Sequence, residues 1–275
     1  MAKKIPRKEI VAKLNEVAAK GVIFEAAVGS GISAKWSEAG GADLIATYNI
    51  AKYRMMGYSR VGYFPIGDAN QMVLELGKRE ILPQIKNVPV IAGVFGADPT
   101  RDMSTYLDEV SAVGFSGVLN CPTLALLDGN FRKGIEKSGF GYQKEIDMIA
   151  VAHGKDLFTQ AFVTDEEEAR KMVAAGVDLV IGHLGGTEPS GKGNREPLIQ
   201  QAAETVKKIF SAARSAHKDV LLGCHGGPVA FPEDLEALKS RVPEIQFFLG
   251  GSSAERLPVE KPIKETVERF KKISR

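Results

Sequence analysis

The sequence predicts a (β/α)8 TIM barrel with an extra N-terminal helix, and three observations support this fold class. A helix end, a glycine, a short apolar run and a polar tip follow one another at 39–49, at 112–120 and at 175–183. A glycine just past a helix accepts the left-handed conformation, and an apolar run without alternation suits a strand that is covered on both faces. Eight apolar runs of this kind occur, and a length of 275 residues suits one barrel.

The elements follow in order along the chain. Residues 6–20 carry apolar side chains at helical spacing, so we expect a helix that covers the bottom of the barrel. The candidate strands are 22–28, 42–48, 88–94, 115–121, 156–163, 177–183, 219–225 and 245–249. Amphipathic helical stretches lie at 69–85, 103–113, 143–152, 165–175, 197–216, 232–240 and 259–273. No linker or low-complexity tract interrupts the series, so the prediction is a single domain over residues 1–275.

Composition narrows the class of protein. Hydrophobic residues make up 44% of the chain and charged residues 25%, which is ordinary for a globular protein with a sizeable core. The net charge of +2 gives no reason to expect a nucleic-acid partner. Cys121 and Cys224 form no cysteine-rich pattern, which favours reduced thiols. The N-terminus lacks an apolar signal core and no apolar run reaches membrane-spanning length, so we expect a cytoplasmic protein without a membrane partner.

Three connections are longer than a barrel needs, at 49–67, 122–139 and 184–196. Connections of this length are usually lids or binding loops. Each follows a strand, so we expect all three on the catalytic face of the barrel. In the first, Lys52 and Arg54 are expected to close over an anionic substrate. In the third, Lys192 and Arg195 are further candidates for binding substrate charge.

Gly29, Ser30 and Gly31 directly follow the first strand and mimic the fingerprint of a dinucleotide-binding turn. That interpretation requires an acid at the end of the second strand, and residues 47–49 supply none. The turn is either an anion cradle built from exposed amides or simply a tight βα turn. No candidate strand contains a lysine, which argues against Schiff-base chemistry. We expect no nicotinamide, flavin or pyridoxal phosphate site.

Two glycine pairs follow the seventh and eighth strands. They are Gly226 and Gly227, and Gly250 and Gly251, the latter pair followed by Ser252. In barrels, the loops after these two strands often bind phosphate through backbone amides, and glycine permits a close approach. The alternative is that these glycines only shape the corners of the barrel.

Polar residues end strands 2, 4, 6 and 7, namely Asn49, Asn120, His183 and His225. The two histidines end adjacent strands, so they are expected to exchange protons or to bind a metal; the alternative is a hydrogen-bonded pair at the rim. The two asparagines are expected to orient a carbonyl or enolate oxygen. Asp98, in the loop after the third strand, is a candidate magnesium ligand or, alternatively, a turn residue.

With these residues in hand, the chain resembles the phosphoenolpyruvate hydrolase-like TIM-barrel family, which is also similar to the C-terminal domain of plant Tm-1-like virus-resistance proteins. The resemblance extends from about residue 10 to residue 270. It rests on the strings GSGISAK (29–35), GGADLI (40–45), YN (48–49) with RM (54–55), PIGDAN (65–70), PVIAGV (89–94), GFSGV (114–118) and DGNFR (128–132). It implies action on a three-carbon phosphorylated or phosphonylated acid, with magnesium. The string EAAV (25–28) departs from the glycine-rich strand end expected for the family.

These observations together predict an enzyme that acts on a small anionic substrate, which is phosphorylated, phosphonylated or a keto acid. The chemistry is expected to be hydrolysis or lyase cleavage with acid–base or metal assistance, and the cofactor that the resemblance allows is Mg2+. The alternative is a non-catalytic, ligand- or protein-binding barrel of the Tm-1-like kind. We expect the protein to form a homo-oligomer.

Overall fold

Eight parallel strands close into a barrel in sequence order, with β8 paired to β1. A computed structural model describes residues 4–58, 61–64, 66–187 and 195–273 of the chain. The strands are β1 Ile23–Ala27, β2 Leu44–Thr47, β3 Val90–Gly93, β4 Gly117–Leu119, β5 Phe158–Val163, β6 Leu179–His183, β7 Leu221–His225 and β8 Phe247–Gly250. The predicted fold class is therefore confirmed, and each strand is one to four residues shorter than its apolar run.

Helices surround the barrel. They are α1 Arg7–Ala18, α2 Gly31–Ala39, α3 Asn49–Met55, α4 Ala69–Leu76, α5 Met103–Val113, α6 Gly129–Lys137, α7 Gln143–Gly154, α8 Glu166–Ala174, α9 Glu196–Ala216, α10 Pro232–Arg241 and α11 Arg256–Lys271. The N-terminal helix α1 is present, and its Ile10 and Leu14 are buried in the core. In the described part of the chain, no helix is long and apolar enough to cross a membrane.

Three of these helices were not predicted. Helix α2 escapes the amphipathic pattern because Ile32 and Trp36 on it are exposed. Helix α3 lies within the first long connection and α6 within the second, so neither connection is an irregular loop. Helix α6 buries none of its residues, although Phe131 and Ile135 share one face of it. In the third connection, Lys192 lies outside the described residues.

The helix predicted over 69–85 is divided into three parts. Helix α4 continues as a π-helical turn over Gly77–Ile81 and a 3-10 turn over Leu82–Gln84. A Cβ atom on Gly77 would lie 2.2 Å from the ring of Phe115, which is fully buried. A π-helical turn disrupts the regular helix. Glycine at this position lets the segment pack directly on that ring.

The close contact at Gly77 gives a test of the packing. Gly77→Ala should lower the free energy of unfolding by roughly 1–3 kcal/mol, because the added methyl group overpacks a filled site. Gly134→Ala is the matched control, since nothing lies within 4 Å of its Cβ position. Alanine in helix α6 should stabilise the protein by up to about 1 kcal/mol. Urea unfolding followed by circular dichroism measures both, and equal stabilities of the two variants would contradict the packing.

Candidate active site

A cavity opens at the carboxyl ends of the strands, where the sequence predicted the site. Its volume is about 40 Å³, a few times what one water molecule needs. Its lining residues are Tyr48, Ile50, Arg54, Tyr63, Cys121, Thr123, Leu126, Phe162, His183, Gly186, Thr187, His225 and Ser252. The size of the cavity suits a small molecule.

The two predicted histidines face one another in this cavity. His183 and His225 are register partners on β6 and β7, and their ring centroids are 5.0 Å apart at a near-perpendicular angle. Phe162 of β5 packs on both rings, with centroid distances of 4.8 Å to His183 and 5.2 Å to His225. The aromatic contact holds the rings in place from below. Inward-pointing residues at the ends of three consecutive strands therefore form one wall.

Both imidazoles are neutral at neutral pH. Burial, reinforced by the neighbouring ring of His225, holds the pKa of His183 well below its usual range. Burial also lowers the pKa of His225 to about 4, and the nearby Arg54 guanidinium contributes. Neither ring therefore titrates near neutral pH. The physical reason is that burial desolvates the charged form of each ring, and at His225 the Arg54 guanidinium adds a repulsive positive charge.

Arg54 is buried and is held by a carboxylate that the sequence interpretation missed. Its Nε and Nη2 atoms donate to Glu255 Oε2 at 3.0 and 2.6 Å, and Nη2 also donates to the carbonyl of Ala27 at 2.5 Å. The Tyr48 hydroxyl is a further hydrogen-bond partner of the guanidinium. Glu255 Oε1 accepts the backbone N–H of Gly29 at 2.8 Å. Arg54 is thus a fixed wall residue of the cavity rather than part of a moving lid.

Gly251 and Ser252, which the sequence proposed for anion binding, lie in the turn after β8 next to Arg54. A Cβ atom on Gly251 would lie 3.2 Å from His225 Cε1, 3.3 Å from Arg54 Nη1 and 3.4 Å from the Tyr48 hydroxyl. The absence of a side chain therefore lets three polar groups approach the backbone of Gly251 closely. The backbone N–H groups of Ser252 and Ser253 donate to no acceptor among the described residues. This turn after β8 presents unpaired donors next to Arg54.

The turn after β1 does not reach the cavity. The backbone N–H of Gly29 donates a hydrogen bond to Glu255. This donor of the predicted anion cradle is therefore engaged by a carboxylate of the chain itself. Ser30 caps helix α2, and a Cβ atom on Gly31 would lie 2.7 Å from the carbonyl of Glu80. Lys52 forms an ion pair with Glu80 at 2.6 Å and does not line the cavity. These contacts favour the interpretation as a tight βα turn.

The glycines after β7 serve loop packing. Gly226 and Gly227 have positive φ angles of 78° and 56°, which favour glycine. Their Cβ atoms would lie 2.0 Å from the carbonyl of Gly185 and 2.6 Å from that of Leu184, and the amide of Gly227 donates to Gly185. Gly250 packs under the ring of Phe24. None of these three glycines lines this cavity, although Gly227 is partly exposed and lines a neighbouring cavity with His183.

The two strand-tip asparagines are buried and hold the rim together. Asn49 Nδ2 donates to the carbonyl of Gly62 at 2.9 Å and so fastens the connection after β2. Asn120 Nδ2 donates to Glu145 Oε2 at 2.7 Å and to the carbonyl of Phe162 at 3.1 Å. Its Oδ1 accepts the N–H of Phe162 at 2.6 Å. Both donors of Asn120 are engaged by protein, which corrects the expectation that this amide orients a substrate oxygen.

Asp98 does not fit a metal ligand. Its Oδ1 accepts from the N–H and the hydroxyl of Thr100, and its Oδ2 accepts from Asn70 and Arg101. Although its partial burial opposes the shift, these hydrogen bonds lower the pKa of Asp98 to about 2. The carboxylate is therefore saturated beside a guanidinium. It is a turn residue, as the alternative interpretation proposed.

The described residues around the cavity do not fit Mg2+ either. Magnesium prefers carboxylate oxygens and water, and no carboxylate is among the described residues that line the cavity. In the described ranges, no group of three or more His, Cys, Asp or Glu side chains is placed to hold a metal ion. Burial raises the pKa of the Cys121 thiol well above its usual value, so this residue stays protonated. The chemistry of the site therefore rests on neutral donors and acceptors and on Arg54.

A second buried polar pair lies inside the barrel. Gln160 of β5 donates to Glu25 Oε1 of β1 at 3.1 Å, and both side chains are fully buried. Burial raises the pKa of Glu25 to about 8, which the hydrogen bond from Gln160 only partly offsets. Glu25 Oε2 and Gln160 Oε1 have no partner. One proton on Glu25 Oε2 would supply a donor for the acceptor on Gln160, so the neutral acid suits this pair.

Two buried carboxylates near the site were missed, because one lies in a helical stretch and the other just before a helix, where neither is marked as a site residue. Glu255 directly precedes α11, and Glu145 lies in the first turn of α7. Glu145 is fully buried, and its carboxylate accepts hydrogen bonds from Asn120 Nδ2, the Thr123 hydroxyl and the N–H of Leu124. A glutamate in a helix is ordinarily a solvated surface residue. Only the three-dimensional contacts show that these two support the rim.

Comparisons with known proteins agree with the fold and give the family. A family model described as phosphoenolpyruvate hydrolase-like matches residues 9–273. The ToMV resistance protein Tm-1(GCR237) of Solanum lycopersicum is 42% identical over 271 residues, which cover 98% of this chain and 36% of the relative. The chain thus spans about a third of the length of that relative.

Solved structures are similar at lower identity. A crystal structure of oxaloacetate acetylhydrolase has a TM-score of 0.66 and 14% identity, covering 98% of this chain and 88% of that one. Phosphonopyruvate hydrolase in complex with oxalate and Mg2+ has a TM-score of 0.62 and 17% identity, covering 97% of this chain and 87% of that one. At such identities the likeness shows the fold alone.

The Glu25–Gln160 pair predicts a pH dependence of stability. The pKa of Glu25 is raised from 4.5 to about 8 in the folded protein, so the unfolded chain releases this proton first as pH rises. The stabilisation is complete below pH 4.5 and is lost progressively up to about pH 8. The free energy of unfolding of Glu25→Gln should therefore be higher than that of the wild type by roughly 3–5 kcal/mol at pH 8, and the difference should be small at pH 4.5. Urea unfolding at both pH values measures this, and a constant difference between the two proteins would contradict it.

Proposed function

Because the chain belongs to the phosphoenolpyruvate hydrolase-like family, we propose that it is an enzyme that acts on a small carboxylate by acid–base chemistry. The observation that carries the proposal is the facing pair His183 and His225, which share one cavity with the buried Arg54. A barrel that serves only as a scaffold gains nothing from burying these polar groups, since burial of each one is unfavourable.

Arg54 and the turn after β8 bind the anionic end of the substrate. Glu255 and Ala27 engage Nε and Nη2 of Arg54, and Nη1 lies beside Gly251 and the Tyr48 hydroxyl. The unpaired N–H groups of Ser252 and Ser253 lie in the same turn. A carboxylate bound there would receive a charge-assisted hydrogen bond together with backbone donors.

The histidines exchange protons with the bound substrate. Neither Nε2 atom has a hydrogen-bond partner among the described residues, and both rings line the cavity. Hydrolysis and lyase cleavage next to a carboxylate both need such a proton transfer. Phosphonylated, phosphorylated and keto acids are the substrate classes to compare, because the family description and the phosphonopyruvate hydrolase likeness point to them.

One observation favours a second candidate function, a protein-binding barrel. An apolar groove beside the cavity includes the exposed side chains of Phe64, Phe131 and Phe140. The relative from Solanum lycopersicum is named for virus resistance and not for a reaction. Thermal-shift measurements with pyruvate, oxalate, phosphoenolpyruvate and phosphonopyruvate separate the two functions. Stabilisation by one of these acids supports the enzyme, and no stabilisation by any of them supports the binding protein.

The histidine substitutions test the chemistry. Using the acid that the thermal-shift screen identifies, His183→Asn and His225→Asn should each lower turnover by roughly a hundredfold or more, because the proton-transfer group is removed. His217→Asn, at an exposed position after α9, is the matched control and should retain wild-type turnover. Circular dichroism verifies that each variant is folded. Near-normal rates in folded His183 and His225 variants would remove the pair from the mechanism.

We further propose that the protein assembles with itself through helix α11. This helix buries none of its residues, and Ile263, Val267 and Phe270 on it are 60%, 55% and 70% exposed. Their spacing of four and three residues puts them on one face. Beside the start of α11, an apolar groove that includes Phe24, Trp36 and Pro258 is open. A second copy would cover both surfaces.

Substitutions on that face test the assembly. In multi-angle light scattering, the wild type should show a multiple of 29.6 kDa. Val267→Asp combined with Phe270→Asp should shift the mass to the monomer, because charge on the apolar face opposes its burial. Glu265→Ala on the same helix is the control and should keep the oligomer. A monomeric wild type would refute the proposal.

A further inference from the structure

The backbone around His225 fixes its tautomer. His225 Nδ1 lies 2.8 Å from the carbonyl oxygen of Leu249. A carbonyl oxygen only accepts, so Nδ1 carries the proton of the neutral ring. Its Nε2 is then a lone-pair acceptor, and this atom has no protein partner in the described part of the chain.

The backbone around His183 fixes the opposite tautomer. The N–H of Gly185 donates to His183 Nδ1 at 3.0 Å. Nδ1 must therefore be the unprotonated nitrogen, and the proton of the neutral ring lies on Nε2. The two rings are 5.0 Å apart between centroids. One cavity wall thus offers a hydrogen-bond donor and a hydrogen-bond acceptor side by side.

From these fixed, opposite tautomers we infer that the substrate of the proposed site carries a proton-bearing oxygen, a hydroxyl or enol group, on the carbon next to its carboxylate. Such an oxygen accepts from His183 Nε2–H and donates to His225 Nε2. The inference rests on the proposed function and names its substrate class. It also divides the roles in the proposed proton exchange, since His225 Nε2 takes the oxygen-bound proton as the base and His183 Nε2–H is the donor to the resulting oxygen.

The distance between the groups sets the size of the substrate. Arg54 Nη1 and His225 Cε1 lie 3.3 and 3.2 Å from the same point, the Cβ position of Gly251. Arg54 Nη1 and the His225 ring therefore lie close to each other, and the His183 ring follows at a centroid distance of 5.0 Å from His225. A short substrate that has its carboxylate on Arg54 and its oxygen on the adjacent carbon suits these distances.

The charge of the site favours the same class. Arg54 is the one charged side chain among the described residues that line the cavity. Its charge is balanced by Glu255, which lies 2.6 Å away and does not line the cavity. Both imidazoles are uncharged because burial lowers the pKa of each ring. A multiply charged phosphate ester would find little compensation here, whereas a single carboxylate and a neutral hydroxyl group suit the donors present.

A matched pair of ligands tests the substrate class. On the carbon next to the carboxylate, lactate carries a hydroxyl group, pyruvate carries a ketone oxygen and propionate carries no oxygen. Racemic lactate is used. Isothermal titration calorimetry should give lactate an affinity at least tenfold higher than either, because a ketone or a methylene leaves His225 Nε2 unpaired. In His225→Phe, which keeps a ring but has no acceptor, lactate should lose its advantage over pyruvate. His217→Phe is the exposed control and should keep it.

Nitrogen NMR tests the tautomers without ligand or turnover. In protein labelled with 15N-histidine at neutral pH, His183 should show a protonated Nε2 and His225 a protonated Nδ1. The variants His183→Asn and His225→Asn assign the signals. Two rings with the same tautomer would overturn the inference.

The outcomes also separate this inference from the proposed function. Pyruvate binding as tightly as lactate would overturn the hydroxyl class and leave a small-carboxylate enzyme standing. Absence of binding by all three acids would overturn both the inference and the proposed carboxylate site.

Discussion

The geometry of the cavity depends on the buried ion pair between Arg54 and Glu255. Glu255 follows β8, Arg54 lies in α3 after β2, and the same carboxylate accepts the N–H of Gly29 after β1. Because these strands are neighbours in the closed barrel, one side chain fastens three adjacent loops. Losing one partner of such a pair typically costs about 3–5 kcal/mol, since a buried charge is left uncompensated. The position of the cation that faces the cavity is thus fixed by the fold.

The barrel could be predicted because its βα joints repeat in the sequence. Gly114 and Gly176 end their helices with positive φ angles of 116° and 87°, as the pattern at those joints requires. The two histidines could be predicted for the same reason, because strand ends in a parallel barrel share one face. The role of the glycine pair at Gly226 could not be predicted, because the sequence of such a pair is the same whether it contacts a ligand or another loop. Glu255 could not be predicted either, because its partners are about 200 residues away.

The interior of the barrel holds its polar groups in uncharged forms. Burial raises the pKa values of Glu25 and Glu145 to about 8 and lowers that of His225 to about 4. All three shifts have one cause, the loss of hydration for the charged form. The electrostatic field in the cavity is therefore set by oriented dipoles and one paired cation. Such a field needs no rearrangement of solvent when charge develops on a bound molecule.

Glu255 is the residue immediately before helix α11, whose apolar face is exposed. Any force that shifts the start of this helix is transmitted through a single peptide unit to the carboxylate that orients Arg54. In the self-assembly proposed for α11, quaternary contacts and the affinity of the cavity for anions would therefore be linked in free energy. Thermodynamic linkage is reciprocal, so an anion bound at Arg54 would favour the same contacts by an equal amount. The proposed assembly would thereby have a route for cooperativity between copies through one peptide unit.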